Sequence, residues 1–522
     1  QNALSQLEMW FVADAYSINW TVAYHNPKAL ERVQKSIDEY YKAWQNKPEL
    51  LIKDPRVYNS EWLAVGPIAR AIRGMWPDLK IYVDSTRRNS WSKMLWAGLQ
   101  FGITHRRQYT NQSMIVDLFA YHTNSALQLI APEKAEPESK MLNYLYESIG
   151  LKPWLGIETE NGPQKPLGDN YWQLTTKGLT KELGFVGYYG EVLDWVNDIY
   201  KATCVDGKPN SGDEQIRKQL LKIMKSRAYF RYPALDNDGF RAMRAEAVVG
   251  WRDADHYPGD IIYGDRGTAW DATPLQTAAN TFDPEAIGYA QQMLEDNQFL
   301  DRIREKLKFG TGIRNLKSLL FVPDEYEWLQ KQAPVSTRLP MSPSSSDFVF
   351  ADEEDGVVAV KNGDEILYAS LFWRARYAVN NLAKVHYITP TMDRIANVCI
   401  ETKLEPSGLN YTRQDWVNMG FGANRNWYKG IHSAHVGEVM PVAKIPQGIA
   451  YQPGQENPYA GRASFYLMRY GNYLIAMNSS ADKYYEVNLP DNAIDLTNGK
   501  KLVNKGTYKL QPMTTVVYYL GK

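Results

Sequence analysis

The sequence predicts a multidomain protein of mixed α and β class. An N-terminal helical domain, a bundle or an α/α toroid (an incomplete helical barrel), is followed by a C-terminal antiparallel sheet or β-sandwich. Three observations carry this expectation. Apolar residues recur at helical spacing through the first two-thirds of the chain, a Pro- and Ser-rich stretch follows Gln332, and β-rich runs paired about tight turns occupy the remainder.

Along the chain, Pro27 to Gln45 places Leu30, Val33, Ile37, Tyr41 and Trp44 on one helix face, with Asn26 as cap and Pro27 in the first turn. The same spacing returns after Gly190 (Val192, Leu193, Val196, Ile199, Tyr200), after Asp213 (Ile216, Leu220, Ile223, Met224) and after Asp283-Pro284 (Ile287, Ala290, Met293, Leu294). Residues 1–332 are therefore expected to form the helical domain, 333–347 (APVSTRLPMSPSSSD) a linker and 348–522 the β domain. Val357 to Tyr368 reads as a hairpin about Asn362-Gly363, and Phe465 to Met477 as another about Gly471-Asn472. Thr514 to Leu520 reads as a terminal strand.

The 522 residues suffice for two to four domains at roughly 100–200 residues each. Lys+Arg and Asp+Glu both number 59, a balance that argues against a nucleic-acid partner or an anionic membrane surface but leaves room for a local basic cleft. No run approaches the roughly 20 apolar residues of a membrane span. Only two cysteines occur, Cys204 and Cys399, so disulfides are not the expected means of stabilisation. The numbering opens on Gln1, and the expectation is a removed leader and a secreted or periplasmic protein. With Trp 16 and Tyr 35, the chain is rich in rings that fill cores and equally in rings that stack on the apolar faces of sugars.

Three segments concentrate polar and aromatic groups where a core would exclude them. They are His105 to Asn111 with Gln112, Gly168 to Gly190, and Gly239 to Arg252. If the last is helical, Arg241 and Arg244 share a face. Asp169-Asn170-Tyr171-Trp172-Gln173 followed by Gly187-Tyr188-Tyr189-Gly190 resembles the Asp-Gly-Ser-Tyr loop and Gly-Ala-Tyr-Gly turn of the chondroitin AC, hyaluronate and xanthan lyase superfamily. The resemblance implies an α/α toroid followed by antiparallel sheets, with Tyr189 as the catalytic tyrosine. It also implies Asn111 as the asparagine facing a uronate carboxylate, and Arg241 and Arg244 as the downstream arginine pair. One departure stands out: where the family has a histidine, this chain reads Leu174-Thr175-Thr176. Either the tyrosine acts alone or, as in the related heparinase-type lyases, a histidine comes from the β domain, with His435 or His432 as candidates.

The chemistry can be stated without the family. β-Elimination beside a uronic acid needs donors that neutralise the carboxylate, a base for the C5 proton and an acid for the departing O4. A tyrosine near arginine serves both proton transfers, because the cation lowers its pKa from about 10. Arg107, Tyr109, Gln112, Tyr171, Trp172, Gln173, Tyr188 and His432 are expected to line the path of an acidic polysaccharide or oligosaccharide. The structural alternative has Tyr189 packing a helix start and the arginines paired with Asp236, Asp238 or Glu246.

No organic cofactor is expected. His432, His435 and Glu438 could hold a structural zinc and calcium is conceivable, but no thiolate is near and neither ion has further support. Arg374, Arg376 and His386 fall on an expected strand, where Arg374 and Arg376 would point together; facing solvent or pairing with acids is expected over facing an acidic sugar. Two rival functions remain open. An inverting glycoside hydrolase would recruit two of Asp169, Glu182, Glu191 and Asp194 at a separation of about 6.5–9.5 Å. A non-catalytic glycan-binding protein would use the aromatic residues alone.

Overall fold

A computed structural model describes residues 3–185, 187, 193–235, 241–246, 248–250, 273–295, 319–372, 376–413, 437–501 and 506–521. The fold is mixed, with α-helices and antiparallel sheets, in two compact units. The first unit comprises Gln1–Gln173, Val192–Leu221 and Gly267–Thr337; the second comprises Leu174–Glu191, Lys222–Arg266 and Arg338–Lys522.

The helices are α1 (Gln6–Tyr16), α2 (Pro27–Asn46), α3 (Ser60–Leu63), α4 (Gly66–Leu79), α5 (Ser85–Thr104), α6 (Thr110–Ile130), α7 (Glu138–Ser148), α8 (Leu193–Thr203), α9 (Glu214–Ala228), α10 (Thr273–Thr281), α11 (Pro284–Glu295) and α12 (Val322–Gln330). α2 starts as its sequence suggests: the Asn26 side chain accepts from the Lys28 N–H and Pro27 opens the first turn. α1 carries a capping box in which Ser5 and Glu8 each accept the other's backbone N–H. α6 is the hub of the first unit. It packs against α3, α4, α5, α7 and α8, and it is buried on every side from Ser113 to Asn124. A helix this uniformly enclosed is a core element rather than a surface stripe. Among the described residues no helix is long and apolar enough to cross a membrane.

Strands also occur inside the span expected to be helical. β1 (Arg231–Leu235) pairs antiparallel with β2 (Arg241–Ala245), with Tyr232 opposite Arg244 and Leu235 opposite Arg241. The helix-face argument for Arg241 and Arg244 therefore fails, because positions three apart on a strand do not share a face.

β3 (Phe348–Asp352), β4 (Val357–Asn362), β5 (Glu365–Ser370), β6 (Leu382–Thr389) and β7 (Met392–Cys399) form a five-stranded meander in sequence order. They are followed by β8 (Glu401–Lys403), β9 (Pro406–Thr412), β10 (Val439–Ala443), β11 (Phe465–Tyr470), β12 (Tyr473–Asn478), β13 (Tyr485–Leu489), β14 (Ile494–Asp495), β15 (Lys500–Lys501), β16 (Gly506–Leu510) and β17 (Thr514–Tyr519). A six-stranded sheet has the order β15-β14-β17-β12-β11-β8, and β9–β10 and β13–β16 are separate pairs. Both hairpin turns use a glycine with positive φ, Gly363 at 60° and Gly471 at 54°.

Alternation along β4 explains how the second unit is layered. Val358 and Val360 point into a core shared with Met468, Ile475, Met477 and Val517 of the six-stranded sheet. Val357 and Ala359, on the other face, join Tyr368 with Leu179, Phe185, Phe230, Tyr232 and Val249. The five-stranded sheet is thus covered on both faces, and the second cover comes from segments far upstream in the sequence. This is why β4 reads as a nearly continuous apolar run rather than an alternating one.

Candidate functional site

In the first unit, two of the polar and aromatic segments are brought together at the start of α6. Thr110 Oγ1 donates to Gln173 Oε1 at 2.8 Å and to the Gln173 carbonyl at 3.1 Å, while Gln173 Nε2 donates to the Gln108 carbonyl at 3.2 Å. The Trp154 N–H donates to the Tyr171 carbonyl at 2.8 Å. Tyr171 and Gln173 are buried, Trp172 is 37% exposed, and Arg107, Tyr109, Asn111 and Gln112 are half-buried. Gln173 and Tyr171 thus anchor the loop and leave Trp172 accessible. α6 starts with no side-chain cap hydrogen bond from Tyr109 and no acidic residue in its own first turn.

Arg106 holds this corner from below. Its Nε and Nη2 donate to Asp117 at 2.9 and 2.8 Å, and its Nη1 donates to Glu147 at 2.6 Å and to the Gly156 carbonyl at 3.1 Å. The guanidinium lies 4.2 Å from the Tyr144 ring centre, and all three charged side chains are buried. Burial opposes the charge, but Asp117 and Glu147 more than offset it and raise the Arg106 pKa. Of the adjacent Arg106 and Arg107, the first is buried in this network and the second is half-buried.

In the second unit, the Leu174-Thr175-Thr176 stretch has a structural task. Thr175 Oγ1 donates to Asp352 at 2.6 Å, and the Thr176 N–H and hydroxyl both donate to Glu354 at 2.6 Å. Lys181 pairs with Glu354 at 2.8 Å. The Glu354 carboxyl sits at about 2: burial works against its charge, and Lys181 and Thr176 outweigh burial.

Beyond β2 the chain turns at Glu246, whose carboxylate is enclosed. It accepts from the Val248 and Val249 N–H groups at 2.5 and 3.0 Å and pairs with His386 Nδ1 on β6. The other ring nitrogen of His386 pairs with Asp393 on β7 at 2.8 Å. Glu246, one of three arginine partners in the structural alternative, has its carboxylate paired with a histidine 140 residues downstream. Burial opposes protonation of His386, but Glu246 and Asp393 prevail and push its pKa up to about 9. Because the folded value lies above the ordinary 6.5, this contribution to stability is complete below about pH 6.5 and is lost as pH rises through about 9. The thermal midpoint of the protein is expected to fall across that window, and to fall less in His386→Gln; equal slopes would show that the ion pair contributes nothing.

Tyr188, Tyr189, His432, His435 and Arg374 lie outside the described residues, as do Asp236, Asp238 and Glu191. The backbone of Arg241 and Arg244 lies on β2. Arg376 occupies a turn before β6 rather than the expected strand, is buried, and pairs with an acid, Glu456. Glu438 pairs with Arg413 at 3.3 Å. Asp169 is exposed and pairs with Lys165 at 2.7 Å, Glu182 is buried, and Asp194 is half-buried in the first turn of α8. Among the described residues, no group of three or more His, Cys, Asp or Glu side chains is placed to hold a metal ion.

No protein-family model matches the chain, and no curated protein matches it. Among solved structures, it aligns with the crystal structure of a mutant of the heparan sulfate lyase HepC from Pedobacter heparinus. The alignment covers 98% of this chain and 76% of that one, at 11% identity and a TM-score of 0.35.

Proposed function

We propose that the protein is a polysaccharide lyase that cleaves a uronate-containing polymer by β-elimination, with its helical region an α/α toroid and its two large sheets a β-sandwich. The observation that carries the reading is the seating of Tyr171–Gln173 on the start of α6 through Thr110 and Gln173. It leaves the partly exposed Trp172 indole on a loop held at the start of α6, the helix that carries Asn111 and Gln112. A ring to stack on a sugar next to amide donors and a helix N-terminus suits a sugar bearing a carboxylate.

In this reading Asn111, with Arg241 or Arg244, neutralises the uronate carboxylate so that the C5 proton becomes acidic. Tyr189 removes that proton and returns one to O4 as the C4–O4 bond breaks, leaving a C4–C5 double bond. Arg107, Tyr109, Gln112 and Trp172 contact the polymer, while Tyr171 and Gln173 hold the loop. No organic cofactor takes part.

The test is a panel of acidic polysaccharides followed by ultraviolet absorbance and by reducing-end release. A rise in absorbance with new chain ends is the expected result, because the new double bond is conjugated to the carboxylate. New reducing ends without absorbance would assign hydrolysis instead. Binding without either signal would assign a glycan-binding protein.

A further inference from the structure

The geometry points to Glu246, His386 and Asp393 as a positioning set that seats Gly187, the residue before Tyr188 and Tyr189, against the end of β2. It rests on the lyase reading only for the roles given to Tyr189, Arg241 and Arg244; the contacts themselves lie within the second unit.

These contacts form one continuous chain. Asp393, one-third exposed, holds His386; His386 holds the Glu246 carboxylate, which also accepts two N–H groups of the turn at Val248 and Val249. The Glu246 N–H donates to the Phe230 carbonyl at 2.7 Å. From the buried Arg227, Nη2 donates to the Glu246 carbonyl at 3.1 Å and to the Gly187 carbonyl at 3.0 Å. Gly187 sits so close that a methyl group on it would meet the Glu246 carbonyl oxygen at 2.7 Å and that of Val249 at 3.1 Å. Glycine at 187, just before Tyr188 and Tyr189, is thus required by backbone packing against Glu246 and Val249, and Glu246 follows Arg244 by two residues. His386 and Asp393 are diagonal neighbours on one sheet face, since His386 is opposite Ile395 and Asp393 is opposite Ile388.

Ionisation of the set governs how firmly that seat is held. The groups facing His386 are Glu246 after β2, Asp393 on β7, Tyr232 on β1 and Tyr368 on β5; Arg227 of α9 lies beyond Glu246, and Lys384 is two residues away on β6. His386, whose pKa is pushed up to about 9, changes charge in mildly alkaline pH. Its deprotonation leaves Glu246 without a cation on that side and loosens the turn on which Gly187 rests.

The experiment is hydrogen–deuterium exchange on the full chain, comparing wild type with His386→Gln and with Asp393→Asn, the milder change at the exposed end. Amides of peptides spanning 183–192 and 244–250 are expected to exchange about tenfold faster or more, while the β11–β12 hairpin is unchanged. Unchanged exchange in those peptides in both variants, or a uniform increase across the chain, would overturn the inference. Should His386→Gln fail to fold, Asp393→Asn decides alone. On any polymer that the wild type cleaves, both variants should lower kcat more than they change KM and shift the alkaline limb of the pH profile. If the wild type cleaves none, the lyase reading fails separately and exchange still decides the positioning.

Discussion

Tyr189→Phe is expected to lower turnover on any cleaved polymer by roughly 10²–10⁴-fold, the usual contribution of a positioned general acid–base group. Elimination moves two protons, one from C5 and one to O4, and in the proposed mechanism a single phenol oxygen handles both. Phenylalanine keeps the ring and its stacking, so KM should change little while kcat collapses, the pattern of an interaction made only in the transition state. Initial rates of absorbance increase, with near-ultraviolet circular dichroism as a check on packing, measure this. A variant that retains more than about a tenth of the activity would remove Tyr189 from the proton-transfer role.

The second large effect is on stability. Arg106→Met is expected to destabilise the protein by about 3–5 kcal/mol, because it leaves the Asp117 and Glu147 carboxylates buried without their cation. That is a large share of the roughly 5–15 kcal/mol that separates folded from unfolded states. Lysine should not rescue it, since one ammonium cannot reproduce the two parallel bonds to Asp117 together with those to Glu147 and the Gly156 carbonyl. Arg107→Met, one residue away and half-buried, should cost less than about 1 kcal/mol. Urea denaturation of the two variants side by side gives the comparison. Equal midpoints would show that the buried network adds no net stability.

Legibility in the sequence followed how local each feature is. α2 and the turns at Gly363 and Gly471 rest on residues within a few positions of one another, and their patterns were readable. The β1–β2 hairpin was not, because Arg-Ala-Met-Arg-Ala favours a helix in isolation and becomes a strand by pairing with the segment after α9. The candidate residues at the start of α6 were visible as an unusually polar and aromatic run. Which of two adjacent arginines is buried was not, since Asp117 and Glu147, 11 and 41 residues on, decide it. The pairing of His386 with Glu246 spans 140 residues, and no periodicity carries such information.

The doubly covered five-stranded sheet has a consequence for how the protein is made. Leu179 and Phe185 leave the ribosome about 170 residues before β4, the strand they cover, which at 5–20 residues per second is a wait on the order of ten to thirty seconds. Phe230 and Tyr232, destined for the same core, follow about 50 residues later and still precede β4 by about 125 residues. The second unit therefore cannot be completed in the order in which it is synthesised. Its earliest segments are the natural substrates for a holding chaperone until the meander arrives.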